Sequence, residues 1–170
     1  MEKKKTGLSV IAEKLNDNVY KVLTSDGLIG FEKAFVIATA AKDLRATLNN
    51  EYMAPIMELQ GSKLGFKTDK DTGQGGSKGP GYPEEVVKNC LIEAVLTGVQ
   101  PFGNQFNIIA GNMYVTKEGF GYLLSKMKGL SYKIIPGLPR VNPEKTSAAI
   151  QVQIKYTHNG KDEILLESKE

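Results

Sequence analysis

The chain has 170 residues, of which 41% are hydrophobic and 24% charged, the balance of a soluble globular protein rather than a disordered or fibrous one. A single cysteine, Cys90, and a single histidine, His158, exclude an internal disulfide, cysteine-cluster zinc sites and multi-histidine metal sites. The net charge of +3 is too small to imply a nucleic-acid partner unless it is unevenly spread, and it is: residues 101–157 carry seven basic side chains against only Glu118 and Glu144.

In chain order, Leu8, Ile11, Leu15, Val19 and Val22 recur at helical intervals up to the breaker cluster Ser25-Asp26-Gly27. A second helix is predicted from Phe31 to Asn50, with Phe31, Ala34, Phe35, Ala38, Ala41, Leu44 and Leu48 on one stripe that must find a core. Met53, Ile56, Met57 and Leu59 suggest a further short helix. Residues 67–82 hold five glycines and no aliphatic side chain, the composition of a long flexible loop. Pro83, Glu84 and Glu85 then suit the start of a helix whose wide apolar face, Val86 to Val95, marks it as the most buried of the chain; Gly98 closes it.

Gln105 to Ala110 and Met113 to Val115 form a predicted hairpin turning at Gly111-Asn112, and Thr116 caps a helix with Phe120, Leu123, Leu124 and Met127 on one face. Ser131 to Ile135 is a strand, followed by an irregular proline-rich connection. From Ala149 to Thr157, Ile150, Val152, Ile154 and Tyr156 alternate with Gln151, Gln153 and Lys155, so one face of this strand is core and the other wet. Asn159-Gly160 turns the chain into a last strand, Ile164 to Glu167. The expectation is one α+β domain over 1–170: N-terminal helices, a β-hairpin, a helix, then antiparallel strands forming a sheet in the C-terminal half, with 1–30 as an oligomerisation arm. The absence of a run of about 20 apolar residues or of an uninterrupted signal core points to a cytoplasmic protein without a membrane anchor.

Chemistry-bearing motifs are scarce. Gly76 and Gly81 have P-loop separation but are followed by Tyr82-Pro83, and the loop lacks the glycine and twelfth-position glutamate that a calcium site starting at Asp69 and Asp71 needs. His158 is best explained as a turn residue, Cys90 as a buried thiol, and adjacent Glu84 and Glu85 as helix N-terminal carboxylates. No serine has both a base and an elbow motif. These residues give an enzyme active site and a cofactor no support.

What remains is basic and aromatic side chains interleaved on secondary structure. Lys117, Lys126, Lys128, Lys133, Arg140 and Lys155 are candidate phosphate contacts, and Tyr114, Tyr132 and Tyr156 candidate base-stacking groups; Lys63, Lys67 and Lys70 could close over a strand from the long loop. The competing explanation is that the lysines are solvated helix residues and the tyrosines half-buried sheet residues.

Three segments, Leu64-Gly65-Phe66-Lys67-Thr68-Asp69, the helix end Glu93-Ala94-Val95-Leu96-Thr97-Gly98 running on to Gly103-Asn104-Gln105-Phe106-Asn107-Ile108-Ile109-Ala110-Gly111, and Tyr114-Val115-Thr116-Lys117-Glu118-Gly119, form a pattern that resembles phage-encoded single-strand DNA annealing proteins of the RecT/Redβ group. The similarity runs from about residue 30 to about 157. It implies a protein that needs no nucleotide, coats single-stranded DNA, pairs it with a complementary strand and holds the new duplex in rings or filaments of its own copies, commonly beside a phage exonuclease. Pairing complementary strands is downhill, so screening of phosphate repulsion suffices. Two departures stand out: a chain shorter than expected for that group, and the glycine-rich stretch after Asp71. The rival expectations are a self-assembling structural or interaction protein without a DNA role, and a small enzyme acting on nucleic acid, which would need clustered carboxylates for metal ions where residues 101–157 offer only Glu118 and Glu144.

Overall fold

A computed structural model describes residues 7–70, 81–144 and 146–169. The expected loop therefore lies outside the described residues over 71–80. The fold is α+β, and the chain forms two compact units, 1–123 and 124–170.

The first unit begins with α1 (Gly7–Leu23), α2 (Gly30–Thr47) and α3 (Asn50–Met57). Asn49 starts α3 because its side-chain oxygen accepts from the Glu51 and Tyr52 amides, replacing the partners that a first helical turn lacks. β1 (Lys67–Thr68) runs parallel to β2 (Phe106–Ile109), and β2 pairs antiparallel with β3 (Asn112–Val115). Thus residues 67–68, expected in the loop, form a strand. Between β1 and β2 lies α4 (Glu84–Thr97), and after β3 comes α5 (Lys117–Lys126), within which the two units divide.

α4 is the centre of this unit: Val87, Cys90, Leu91, Ile92 and Ala94 are all buried, and the helix ends at Gly98 in the left-handed conformation. Phe66 and Phe106 stack beneath it with ring centroids 4.8 Å apart, fully buried with Met53, Val99 and Ile108. The α2 stripe enters this core only at its end. Leu44 and Leu48 are buried, whereas Phe31 and Phe35 face outward. α5 likewise leaves Phe120 and Leu124 exposed, and Met127, just after it, is exposed too.

The hairpin turns one residue earlier than its composition suggests, at Ala110-Gly111, with φ of 50° and 76°. A two-residue turn needs positive φ at both central positions, and alanine resists it. Here the turn is held from outside: the Ala110 amide donates to Asp69 Oδ2 (2.9 Å), and the Gly111 amide donates to the Tyr82 hydroxyl (3.0 Å).

The second unit is a sheet built around β6 (Ala148–His158), flanked by β4 (Leu130–Pro136) and β7 (Lys161–Lys169), with β5 (Arg140–Val141) beside its start. Asn159 and Gly160, both at positive φ, form the β6–β7 turn as expected. No described residue of this unit is buried. Among the described residues no helix is long and apolar enough to cross a membrane.

Candidate nucleic-acid interface

The register of the second unit decides which of the predicted contact residues can act together. Lys133 lies directly opposite Lys155, and Tyr132 directly opposite Tyr156. Successive strand residues point to opposite faces, so the two lysines share one face and the two tyrosines the other. The joint lysine–tyrosine surface expected from composition is therefore divided by the pleat.

The lysine face is mixed: polar residues lie along β6, while Ile135 of β4 and the exposed Ile164 of β7, which sits opposite Lys155, add apolar positions to it. Its rows are Ser131–Thr157, Lys133–Lys155 and Ile135–Gln153; Gln151 follows, and Arg140 lies opposite Ala149 on the same side. Lys133, Lys155 and Arg140 are exposed and form no ion pair among the described residues. From Lys155 to Ala149 the strand rises about 20 Å, so the three cations are strung along one edge-to-edge stretch of the face. The nearest acid on this side, Asp162, accepts a hydrogen bond from the Thr157 hydroxyl (2.5 Å).

The opposite face carries Tyr132, Ile134, Ile150, Val152, Ile154 and Tyr156. The Tyr156 hydroxyl donates to the Glu163 carboxylate, which pushes the tyrosine's pKa up.

In the first unit, a second constellation lies on the outward face of the three-stranded sheet. Lys67 pairs with Asn107, and Asn107 with Tyr114, so a cation, an amide and an exposed aromatic ring form one row. The alternate residues Thr68 and Ile108 point into the core. Sequence reading named Lys67 and Tyr114 but missed Asn107; its spacing of one residue from Phe106 and Ile108, both apolar, was the available signal.

The remaining candidates are dispersed. Lys63 is exposed between α3 and β1, Lys117 begins α5, Lys126 ends it and Lys128 follows; all are exposed. Lys70 sits 4.4 Å above the Tyr82 ring as a cation–π contact. It belongs to a clasp at the base of the glycine-rich stretch. There the Tyr82 hydroxyl donates to Asp69 Oδ1 (2.7 Å), while Gln60 both accepts from the Tyr82 amide (2.6 Å) and donates to its carbonyl (3.2 Å). The Tyr82 hydroxyl and then the Ala110 amide hold the Asp69 carboxyl below its ordinary pKa, and the same bond raises that of Tyr82. Cys90 is buried, its thiol pushed up by desolvation and directed at the Gly111 carbonyl (3.4 Å).

Neither a protein-family model, nor a curated protein, nor a solved structure matches the chain.

Proposed function

We propose that the protein binds single-stranded DNA through its phosphate backbone and anneals it to a complementary strand without a nucleotide. The observation that carries this reading is the facing pair Lys133–Lys155. Like charges directly opposite on a sheet, with Cβ atoms about 5 Å apart, destabilise it. No carboxylate among the described residues neutralises either one. A phosphate placed between the two ammonium groups removes that repulsion, and Arg140 extends the same face for further phosphates. The glutamines between them donate to phosphate or sugar oxygens without reading sequence. Taken by itself, the row Lys67–Asn107–Tyr114 of the first unit is a separate candidate contact, a ring on which an unpaired base can stack beside a cation.

The test mixes complementary oligonucleotides with the protein in the absence of nucleotide and follows duplex formation and binding over a salt series. Lys133→Gln and Lys155→Gln should each reduce the slope of log affinity against log salt by about 0.7, the share of one phosphate contact on a single strand. Unchanged slopes in both variants, or no faster annealing than in protein-free solution, would overturn the assignment. A shift confined to Tyr114→Ala with unaltered slopes would instead move the site to the first unit.

A further inference from the structure

The first unit carries an apolar surface that its own core does not use. Ile29 is 80%, Phe31 83% and Phe35 70% exposed, all around the start of α2. Phe31 and Phe35 are one helical turn apart and share a face. Beside them, α1 and α2 enclose a groove of about 730 Å³ lined by Asn18, Lys21, Leu28, Phe35, Ala40 and Asp43 among others. The groove is held open by a fixed connection: Lys33 Nζ donates to the Val22 carbonyl (3.1 Å) and to Ser25 Oγ (2.7 Å), and Ser25 Oγ donates to the Val22 carbonyl (2.7 Å). Asn18, only 8% exposed, lines it with a buried side-chain nitrogen that finds no acceptor among the described residues.

We infer that this groove receives a second copy of the chain, with Phe31 of each copy entering the groove of the other about a two-fold axis. Three features favour a copy of itself over an unrelated partner. First, knob and hole lie on the same patch, which is what a two-fold contact demands. Second, the charges are self-complementary. Lys21 lies at the end of the groove near the α1–α2 connection and Asp43 toward the far end, and neither has an ion-pair partner among the described residues. A two-fold axis across the groove brings Lys21 of one copy to Asp43 of the other. Third, Ile29, Phe31 and Phe35 from both copies supply on the order of 1,000 Å² of buried surface, about the minimum for a specific interface. The carbonyls of the connection entering with Phe31 are within the chemistry that the Asn18 amide lacks.

α1 leaves Val10, Tyr20 and Leu23 exposed but turns the larger of its other described apolar residues inward. Leu15, Val19 and Val22 pack against the unit's own core, so the contact surface falls on α2 and the connection rather than on the apolar stripe of residues 8–23.

The experiment is sedimentation of the full chain without DNA, which keeps it separate from the annealing reading. The wild type should sediment as a dimer or larger assembly at micromolar concentration. Phe31→Asp, at a position too exposed to affect the monomer's fold, should yield monomers with unchanged far-ultraviolet circular dichroism. Lys21→Asp and Asp43→Lys should each weaken association at least tenfold, and the two together should restore it. A monomeric wild type, an assembled Phe31→Asp variant, or a doubly reversed chain no better than the single variants would each reject the two-fold contact.

Discussion

Two glycines in α5, two residues apart, should respond in opposite directions to the same substitution. A Cβ at Gly119 would lie 2.1 Å from the Gln105 carbonyl oxygen and 2.8 Å from Val115 Cγ1. The first is backbone on the approach to β2, and the second is a methyl of a stiff β-branched side chain on β3. Relief therefore requires α5 and the hairpin to separate by about 1 Å, and overpacking of this kind costs about 1–3 kcal/mol. The same movement strains the hydrogen bond from the Thr116 amide to Gln105 O (3.0 Å), adding about 1 kcal/mol. Alanine's better helix propensity returns about 1 kcal/mol. Gly119→Ala should therefore destabilise the protein by about 1–3 kcal/mol and lower the thermal midpoint by roughly 3–10 °C. At Gly121 a Cβ meets nothing within 4 Å, so only the propensity gain remains and Gly121→Ala should raise the midpoint by about 2–4 °C. Thermal unfolding of the two variants beside the wild type decides the matter. Equal shifts, or a Gly119→Ala protein as stable as the wild type, would show that α5 does not bear on the Gln105 backbone.

Other substitutions probe the core, a cap and the clasp. Phe106→Ala removes one ring of the buried stacked pair and should cost about 3–5 kcal/mol in urea unfolding. Asn49→Ala deletes the acceptor for the Glu51 and Tyr52 amides and should cost about 0.5–2 kcal/mol by the same measurement, with Asn49→Asp close to neutral. Asp69, held below its ordinary value of 3.8, binds fewer protons folded than unfolded. Its stabilisation is complete above the unfolded pKa of about 3.9 and is lost as pH falls through the lower folded value. Tyr82→Phe removes the largest cause of that shift, so its urea midpoint should fall less steeply than the wild type's between pH 5 and pH 2. Parallel pH profiles would exclude this role for the hydroxyl.

The parts of the fold that followed from the sequence are those determined locally. α4 and β6 declare their faces through a period of 3.6 and of 2, and Asn159-Gly160 supplies the two positive φ angles that its turn requires. Where tertiary contacts override local preference, composition misleads. Ala110 takes a turn position it would avoid in isolation because Asp69 and Tyr82, from either side of residues 71–80, supply partners for the turn amides. The N-terminal half of α2 has core-like spacing, yet its chain entry from the connection carries Phe31 outward. The division of Lys133 and Lys155 from Tyr132 and Tyr156 was legible: in each strand the lysine and tyrosine are adjacent, and adjacency in a strand means opposite faces.

The residues that carry the resemblance to annealing proteins have a common structural role, and it constrains where DNA contacts can lie. The Gly103 and Asn104 amides donate to the Leu64 and Gly65 carbonyls (2.8 and 2.7 Å), joining the first motif segment to the second. Phe66 stacks on Phe106, and Lys67 and Thr68 pair in parallel with Asn107 and Ile108. Thr116 ties the third segment to the second by donating its hydroxyl to the Asn104 carbonyl (2.6 Å), and Gly119 leaves room for the Gln105 carbonyl. Gly65 is similarly placed, since a Cβ there would lie 2.1 Å from the Leu59 carbonyl oxygen. The glycines and Phe66, Phe106 and Thr116 are thus explained by packing alone, and they specify a scaffold rather than a chemistry. Among the motif residues whose side chains stay exposed, Leu64, Phe102 and Ile109 are apolar and Glu118 is acidic, whereas Lys67, Tyr114 and Lys117 are the ones suited to a nucleic-acid contact. If the resemblance extends to activity, loss of DNA binding should follow substitution of Lys67 and Tyr114 without loss of stability, whereas substitution of Gly65 or Gly119 should lower both in proportion.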